Sequence, residues 1–323
     1  MKRFPVSNIQ DDVGLRNLKF SDPYKTQNGD PRAYVDLPKL STLWLNTGTL
    51  CNLACKNCYI ESTPSNDRLS YLTLDDVVPY LKEIEQRGLA TKEIGITGGE
   101  PFMNPEILDI LDACLIRGFS LLILTNAMRP MTRPAIKTGL LELKTAYRDF
   151  MTIRVSVDHF DKIKHEEERG PGSWEPMIQG LNWLSQHEFQ INIAGRTRWN
   201  ESEDELRQGF KSLFQENNIN LDATDTRQLT FFPEMDENIE VPEITTKCWN
   251  ILGVSPNDMM CASSRMIVKP KSSAKPSVMA CTLLAYDEQF NMGHTLHEAS
   301  RSVRLNHPHC AKFCVLGGGK CTS

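Results

Sequence analysis

The chain has 323 residues, 40% of them hydrophobic and 24% charged, with a formal net charge of −5. Such a composition buries a core and excludes a disordered or collagen-like chain. It shows no basic stripe for nucleic acid, and its apolar runs, such as residues 121–124, are too short to span a bilayer. The start, Met1-Lys2-Arg3-Phe4-Pro5, has no apolar signal core, which predicts a cytoplasmic protein with neither nucleic acid nor membrane as partner.

In chain order, residues 1–41 are polar, rich in Asp, Asn and Pro, and read as an irregular N-terminal arm. From residue 42 the pattern is regular. Leu43-Trp44-Leu45 reads as a strand. Thr73 opens a helix with a capping-box pattern, and Gly88 stops it. Residues 93–97 read as a strand. Asn104-Pro105 caps the next helix, with Gly118 past its end. Residues 119–125 form a third predicted strand and 134–143 a helix. Residues 151–157, alternating Ile153, Val155 and Val157, form a fourth strand. Residues 174–187 form a helix with Met177, Ile178, Leu181 and Leu184 on one face. Residues 189–194 make a fifth strand, Ser202-x-x-Glu205 opens a helix through Phe214, and 229–232 make a sixth strand.

This alternation predicts an α/β fold over residues 42–243: a partial (β/α)6 TIM-like barrel or an open parallel sheet, with its chemistry at the C-terminal strand ends. Over residues 244–323 Gly, Pro, Lys and Cys dominate. That stretch predicts a small cysteine-rich C-terminal domain that needs a metal to hold it.

Ten cysteines in a chain without an export signal point to metal binding or catalysis before disulfides. Cys51, Cys55 and Cys58 lie within eight residues on the loop after the first strand. Three thiolates are one too few for a structural zinc site. They are the right number for a [4Fe–4S] cluster with one iron left open. The alternative is half a zinc site, or three unrelated buried thiols. Cys114, on an apolar helix, reads as a core residue. Glu166–Glu168 reads as a solvated helix face.

The Cys51-x3-Cys55-x2-Cys58 motif, followed by the aromatic Tyr59 and joined by Gly98-Gly99-Glu100-Pro101 at the end of the second strand, resembles the radical S-adenosylmethionine (SAM) enzymes. The resemblance runs from Thr42 to about residue 232. It implies that SAM chelates the open iron. It implies that Gly98, Gly99 and Glu100 hold the methionine amino group, and that backbone at Tyr59 contacts adenine. Ser156 and Asp158 match ribose- and carboxylate-contacting positions. Thr125-Asn126 matches a Thr-Asn-Gly turn, with Ala127 in place of the glycine. Arg169 stands where related enzymes carry an arginine that supports SAM. Independently, Gly98 and Gly99 let a ligand approach backbone closely.

The C-terminal cysteines resemble the auxiliary-cluster domains of this superfamily, in the SPASM form or the shorter twitch form. The resemblance implies one second [4Fe–4S] cluster on four of Cys261, Cys281, Cys310, Cys314 and Cys321. Cys248 is an extra ligand or a thiol. The alternative is a zinc staple using His307 or His309; otherwise His294, His297, His307 and His309 read as surface residues.

The function implied is reductive cleavage of SAM to a 5′-deoxyadenosyl radical, which abstracts hydrogen from a substrate. The electron comes from a low-potential donor such as flavodoxin or ferredoxin, and the auxiliary cluster assists substrate binding or oxidation. The N-terminal arm is too short for a peptide-binding domain, which favours a small-molecule substrate. The alternatives are a maturase acting on a peptide or protein, and a non-catalytic iron–sulfur or zinc protein. Arg196 and Arg198 stand as clamps for a substrate carboxylate or phosphate, or as solvated arginines. Glu234 and Asp236 stand as general bases or ordinary loop acids.

Overall fold

Thr42–Asn46 is buried at every position, and a strand buried on both faces belongs inside a sheet. The structure, a computed structural model, describes residues 19–234 and 240–319. A short β1 (Tyr34–Val35) comes first. Then β2 (Thr42–Asn46), β3 (Glu93–Thr97), β4 (Ser120–Thr125), β5 (Met151–Asp158), β6 (Gln190–Arg196) and β7 (Leu229–Phe232) lie side by side in chain order, all parallel.

Helices fill every crossover, as parallel pairing requires. They are α1 (Leu74–Arg87), α2 (Ile107–Leu115), α3 (Arg129–Thr132), α4 (Pro134–Tyr147), α5 (Lys162–Arg169), α6 (Trp174–Gln186) and α7 (Glu203–Glu216). Both predicted capping boxes form, Thr73 with Asp76 on α1 and Ser202 with Glu205 on α7. Val77, Leu81 and Ile84 of α1 face the core, as do Met177, Leu181 and Leu184 of α6. Cys114 is fully buried in α2, as expected of a core residue. Asn104 is not the N-cap of α2, because the helix starts at Ile107 with Glu106 in the cap position two residues on. Its Oδ1 accepts from Glu106 N at 2.9 Å, and its Nδ2 donates to Thr47 O and Leu72 O.

After residue 244 the chain returns to the sheet. A short α8 (Cys248–Leu252) precedes β8 (Ser264–Val268), which pairs parallel with β2, and β9 (Ser277–Met279), which pairs antiparallel with β8. The sheet therefore has eight strands in the order β7-β6-β5-β4-β3-β2-β8-β9. The stretch between Cys261 and Cys281, rich in Lys, Ser and Pro, reads as hairpin-like in the sequence, and β8 and β9 form that hairpin; the sequence does not mark its joining to the main sheet through β2. The arm is tied down as well. Its β1 pairs antiparallel with β10 (Val303–Arg304). The fully buried Arg32 side chain pairs with Glu243 at 2.5 Å. The described chain ends in a π-helical segment, Cys310–Leu316. Among the described residues no helix is long and apolar enough to cross a membrane.

Candidate functional site

The loop leaving β2 is stitched to the turn leaving β3. Gly99 N donates to Gly48 O at 2.7 Å, and Glu100 N donates to Leu50 O at 3.1 Å. A Cβ on Gly99 would lie 2.2 Å from Leu50 O, and Gly98 has φ +144°. The two glycines are thus required by the approach of the cysteine loop itself, a signal that composition alone cannot separate from ligand approach. This stitch brings Cys51, Cys55 and Cys58 to the wall of a cavity of about 180 Å³ at the C-terminal ends of the strands.

The same wall carries Tyr59, Gly98, Gly99, Thr125 and Asn126. Ser156, Asp158, Arg169 and Arg196 complete its polar side. Trp44, Ile60, Phe232 and Leu283 make the apolar remainder. The Asn126 amide lies 3.9 Å from Cys51 Sγ, and the N–H groups of Leu53 and Ser62 donate to Cys51 Sγ and Cys58 Sγ at 3.4 and 3.3 Å. Burial pushes the Cys51 thiol up to about 12 and raises Cys55 as well. Such thiols become thiolates when a metal takes them.

Glu100 behaves differently from its motif neighbours. It is 2% exposed and does not reach the cavity wall. Its carboxylate accepts from the Thr125 hydroxyl at 2.8 Å, Asn126 N at 2.9 Å and Phe102 N at 3.3 Å. Burial pushes its carboxyl up to about 7 against those donors. Glu100 therefore ties the end of β3 to the end of β4.

Asp158 ends β5 in a left-handed conformation, φ +58°, where the register with β6 shifts. Arg169 donates to both of its carboxylate oxygens, and Arg196 Nε reaches Oδ1 at 3.2 Å. Burial alone would raise the Asp158 carboxyl, but the two guanidinium groups hold it down to about 2. Arg196 also donates to Asn57 O at 3.0 Å and lies over the Tyr59 ring at 4.7 Å. Arg198 points at Glu168 (2.6 Å) and Glu167 (3.4 Å). Both arginines are thus engaged by the protein's own groups, but Arg196 also lines the cavity, and its buried Nη1 has no hydrogen-bond partner among the described residues.

The solvated reading of Glu166–Glu168 fails at Glu168, while Glu167 is exposed and Glu166 half-buried. Glu168 has a fully buried side chain. It accepts from Asn57 N and Asn57 Nδ2, each at 2.8 Å. Glu167 accepts from Trp199 Nε1, and Glu166 from Gly172 N. Local charge pattern hides this, because the partners lie far away in sequence. Glu234 has one buried carboxylate oxygen without a hydrogen-bond partner among the described residues, and it does not line the cavity. Asp236 and Cys321 lie outside the described residues.

A second pocket gathers the other cysteines. Cys261, Cys281, Cys310 and Cys314 line it together with His309 and apolar side chains. Cys248 is elsewhere, accepting from Thr245 N at 3.4 Å. Burial raises the thiols of Cys261 and Cys310. Arg265, 1% exposed, sits beside this pocket and donates to the carbonyls of Cys261, Ser264, Ala299 and Arg301. Among the described residues no carboxylate pairs with it. His307 and His309 are half-buried, a correction to their surface reading, while His294 and His297 are exposed. No disulfide joins any of the described cysteines. Among the described residues no three His, Cys, Asp or Glu side chains converge on a single-ion site.

The two pockets share a wall. Leu283 lines both, and the adjoining Thr282 and Cys281 line one each. Phe313, fully buried between Cys310 and Cys314, meets the Tyr59 ring edge-on at 6.2 Å and stacks on Phe232 at 6.1 Å.

Comparison with known proteins agrees with this geometry. The Radical SAM superfamily profile matches residues 45–208. The chain is 28% identical over 145 residues to the antilisterial bacteriocin subtilosin biosynthesis protein AlbA of Bacillus subtilis, covering 45% of this chain and 30% of AlbA. It is 26% identical over 162 residues to the AdoMet-dependent heme synthase of Methanosarcina barkeri, covering 50% of this chain and 43% of that protein. The chain thus spans less than half the length of these curated relatives. Streptococcus suis SuiB bound to S-adenosylmethionine shares the fold, with a TM-score of 0.55 at 16% identity over 79% of this chain and 63% of SuiB.

Proposed function

Because the chain belongs to the radical SAM superfamily, we propose that Cys51, Cys55 and Cys58 hold a [4Fe–4S] cluster and that the adjoining cavity takes S-adenosylmethionine and a small-molecule substrate. The observation that carries this reading is the placement of three thiols on one cavity wall with Gly98, Gly99, Ser156, Asp158 and Arg169. The three thiols border an open cavity, which suits a cluster with one iron open to a ligand. When bound, the reduced cluster and SAM supply a 5′-deoxyadenosyl radical that removes hydrogen from the substrate.

The chain's own part is binding, orientation and exclusion of water. Asp158, held ionised by Arg169 and Arg196, is a fixed acceptor at the strand end. The turn at Gly98 and Gly99 presents backbone at the cavity wall. Trp44, Phe232 and Leu283 line the cavity with apolar surface, which keeps water from a reactive species.

A second [4Fe–4S] cluster belongs at Cys261, Cys281, Cys310 and Cys314, the four that share a pocket. Arg265 supports it, because a buried cation paired only with carbonyls suits a site that carries negative charge. The electron donor is a low-potential carrier such as flavodoxin or ferredoxin. A peptide substrate is the second reading. AlbA is named for bacteriocin biosynthesis, and SuiB has been solved bound to its precursor peptide SuiA.

The test is 5′-deoxyadenosine formation from SAM after anaerobic iron–sulfur loading and reduction. Wild type is expected to make it, and the Cys51/Cys55/Cys58→Ala variant to make none. A loaded, reduced wild type that makes none would leave a non-catalytic iron–sulfur or zinc protein. Product that rises with an added candidate peptide and not with small molecules would favour the second reading.

A further inference from the structure

The two residues between Cys55 and Cys58 are held by a single helix end. Lys56 N donates to the backbone carbonyl of Glu168 at 2.9 Å. Asn57 N and Asn57 Nδ2 donate to the two Glu168 carboxylate oxygens at 2.8 Å each. Asn57 O accepts from Arg196 at 3.0 Å. The backbone of this short segment is therefore held by α5 and by the end of β6.

The helix end is itself anchored. Arg169, the residue after Glu168, grips Asp158 at the end of β5 with two hydrogen bonds. Arg198 closes on Glu168 at 2.6 Å, and Arg196 stands 3.9 Å away. A fully buried carboxylate is retained at this cost only when its donors satisfy it completely. Here two amide donors and two guanidinium groups face it.

From this geometry we propose that Glu168 is a positioning residue for the cluster: it fixes the Cys55–Cys58 segment so that the two thiolates are presented in one arrangement. The proposal rests on the reading of Cys51, Cys55 and Cys58 as cluster ligands. Groups that orient metal ligands through hydrogen bonds generally alter metal retention when replaced.

Two consequences separate from one another. Retention follows the hydrogen bonds, and the cluster's reduction potential follows the charge. Glu168→Gln removes the charge and sets an amide donor either against Asn57 N or against Asn57 Nδ2 and Arg198 together. Asn57→Ala removes one hydrogen bond and leaves the charge. Glu168→Gln with Asn57→Asp returns the charge to the pair and lets the new amide donate to the new carboxylate, but that amide then faces Arg198, so only part of the hydrogen bonding returns.

The experiment is chelator-driven iron release from the anaerobically loaded full chain, together with the midpoint potential of the reduced cluster by electron paramagnetic resonance. Glu168→Gln is expected to release barrel-site iron about tenfold faster than wild type, with its potential moved upward. Asn57→Ala is expected to release it about fivefold faster, with the potential unmoved. The double variant is expected to recover the potential and part of the iron retention. If Asn57→Ala and Glu168→Gln both retain iron as wild type does, or if the double variant recovers neither readout, the clamp is refuted. If Glu168→Gln does not fold, Asn57→Ala decides. If wild type loads no more iron than the Cys51/Cys55/Cys58→Ala variant, the cluster reading itself fails, and the clamp goes with it.

Discussion

The thiols at the barrel mouth stand among charges: Asp158, Arg169 and Arg196 share their cavity wall, with Glu168 and Arg198 behind. The thiols of the second site stand among Met259, Met260, Leu284 and Phe290, with one guanidinium satisfied by carbonyls. The first surround can recognise a polar ligand and hold it in register. The second can insulate whatever its four thiols bind. Strand ends supply the first, because loops at the C-terminal edge of a parallel sheet converge on one opening. The second is assembled from loops around β8 and β9, and it borrows its rigidity from the sheet they extend.

The strongest way to break this comparison is to remove one set of thiols at a time. Cys51/Cys55/Cys58→Ala is expected to lower iron from about eight to about four per chain, with activity abolished. Cys261/Cys281/Cys310/Cys314→Ala is expected to leave about four at the barrel mouth. Iron and acid-labile sulfide analysis reads both, and equal iron in all three proteins would erase the distinction between the sites.

Arg265→Met tests the insulated site. It leaves four carbonyls without their buried donor, at a cost of at least about 3 kcal/mol. Thermal unfolding should register it, and the second cluster's potential should fall while the barrel cluster's stays in place. Gly99→Ala tests the stitched site. Its new methyl group meets Leu50 O at 2.2 Å, backbone that cannot step aside. A loss of about 1–3 kcal/mol is expected, with faster iron loss from the barrel mouth alone.

The smallest expected effect is on pH dependence. His159 is fully buried on the charged side of the molecule; its Nδ1 accepts from Asp161 N at 2.8 Å and its Nε2 lies 3.2 Å from Glu201. Burial, then the Lys164 ammonium, hold it down to about 4. A histidine depressed in the folded state adds stability that is complete above its unfolded value near 6.5. That stability is lost as pH falls from there toward 4. The unfolding midpoint should drop by about 2 °C or more over that window, and His159→Phe should flatten part of the slope. An unchanged slope in the variant would assign the acid sensitivity elsewhere.

Much of this arrangement was readable in the sequence where the signal is local. Cys51, Cys55 and Cys58 announce themselves by spacing, and the six core strands by alternation with capped helices. What was hidden depends on distant partners. Glu168 sits in a run of three glutamates that looks solvated, and only Asn57 and Arg198, brought by other strands, make it a buried clamp. Spacing did not show which of the C-terminal cysteines share a pocket, because the fold and not the sequence interval brings Cys261 and Cys281 to Cys310 and Cys314. Arg196 was visible as a strand-end arginine, but its bond to Asp158 at the cavity wall needs the pairing of β5 with β6.

The placement of β2 has a consequence for how the chain is made. Thr42 pairs with Glu93 on one side and with Ser264 on the other. At about 5–20 residues per second, the first partner emerges from the ribosome within roughly ten seconds, and the second roughly ten seconds or more after it. Through that interval β2 is an open edge carrying apolar side chains, the kind of edge to which other strands add. The nascent protein therefore needs shielding after its barrel strands have formed and before its C-terminal segment arrives. A chain that ends before Ser264 is expected to aggregate through β2, even with every residue of the barrel-mouth motif in place.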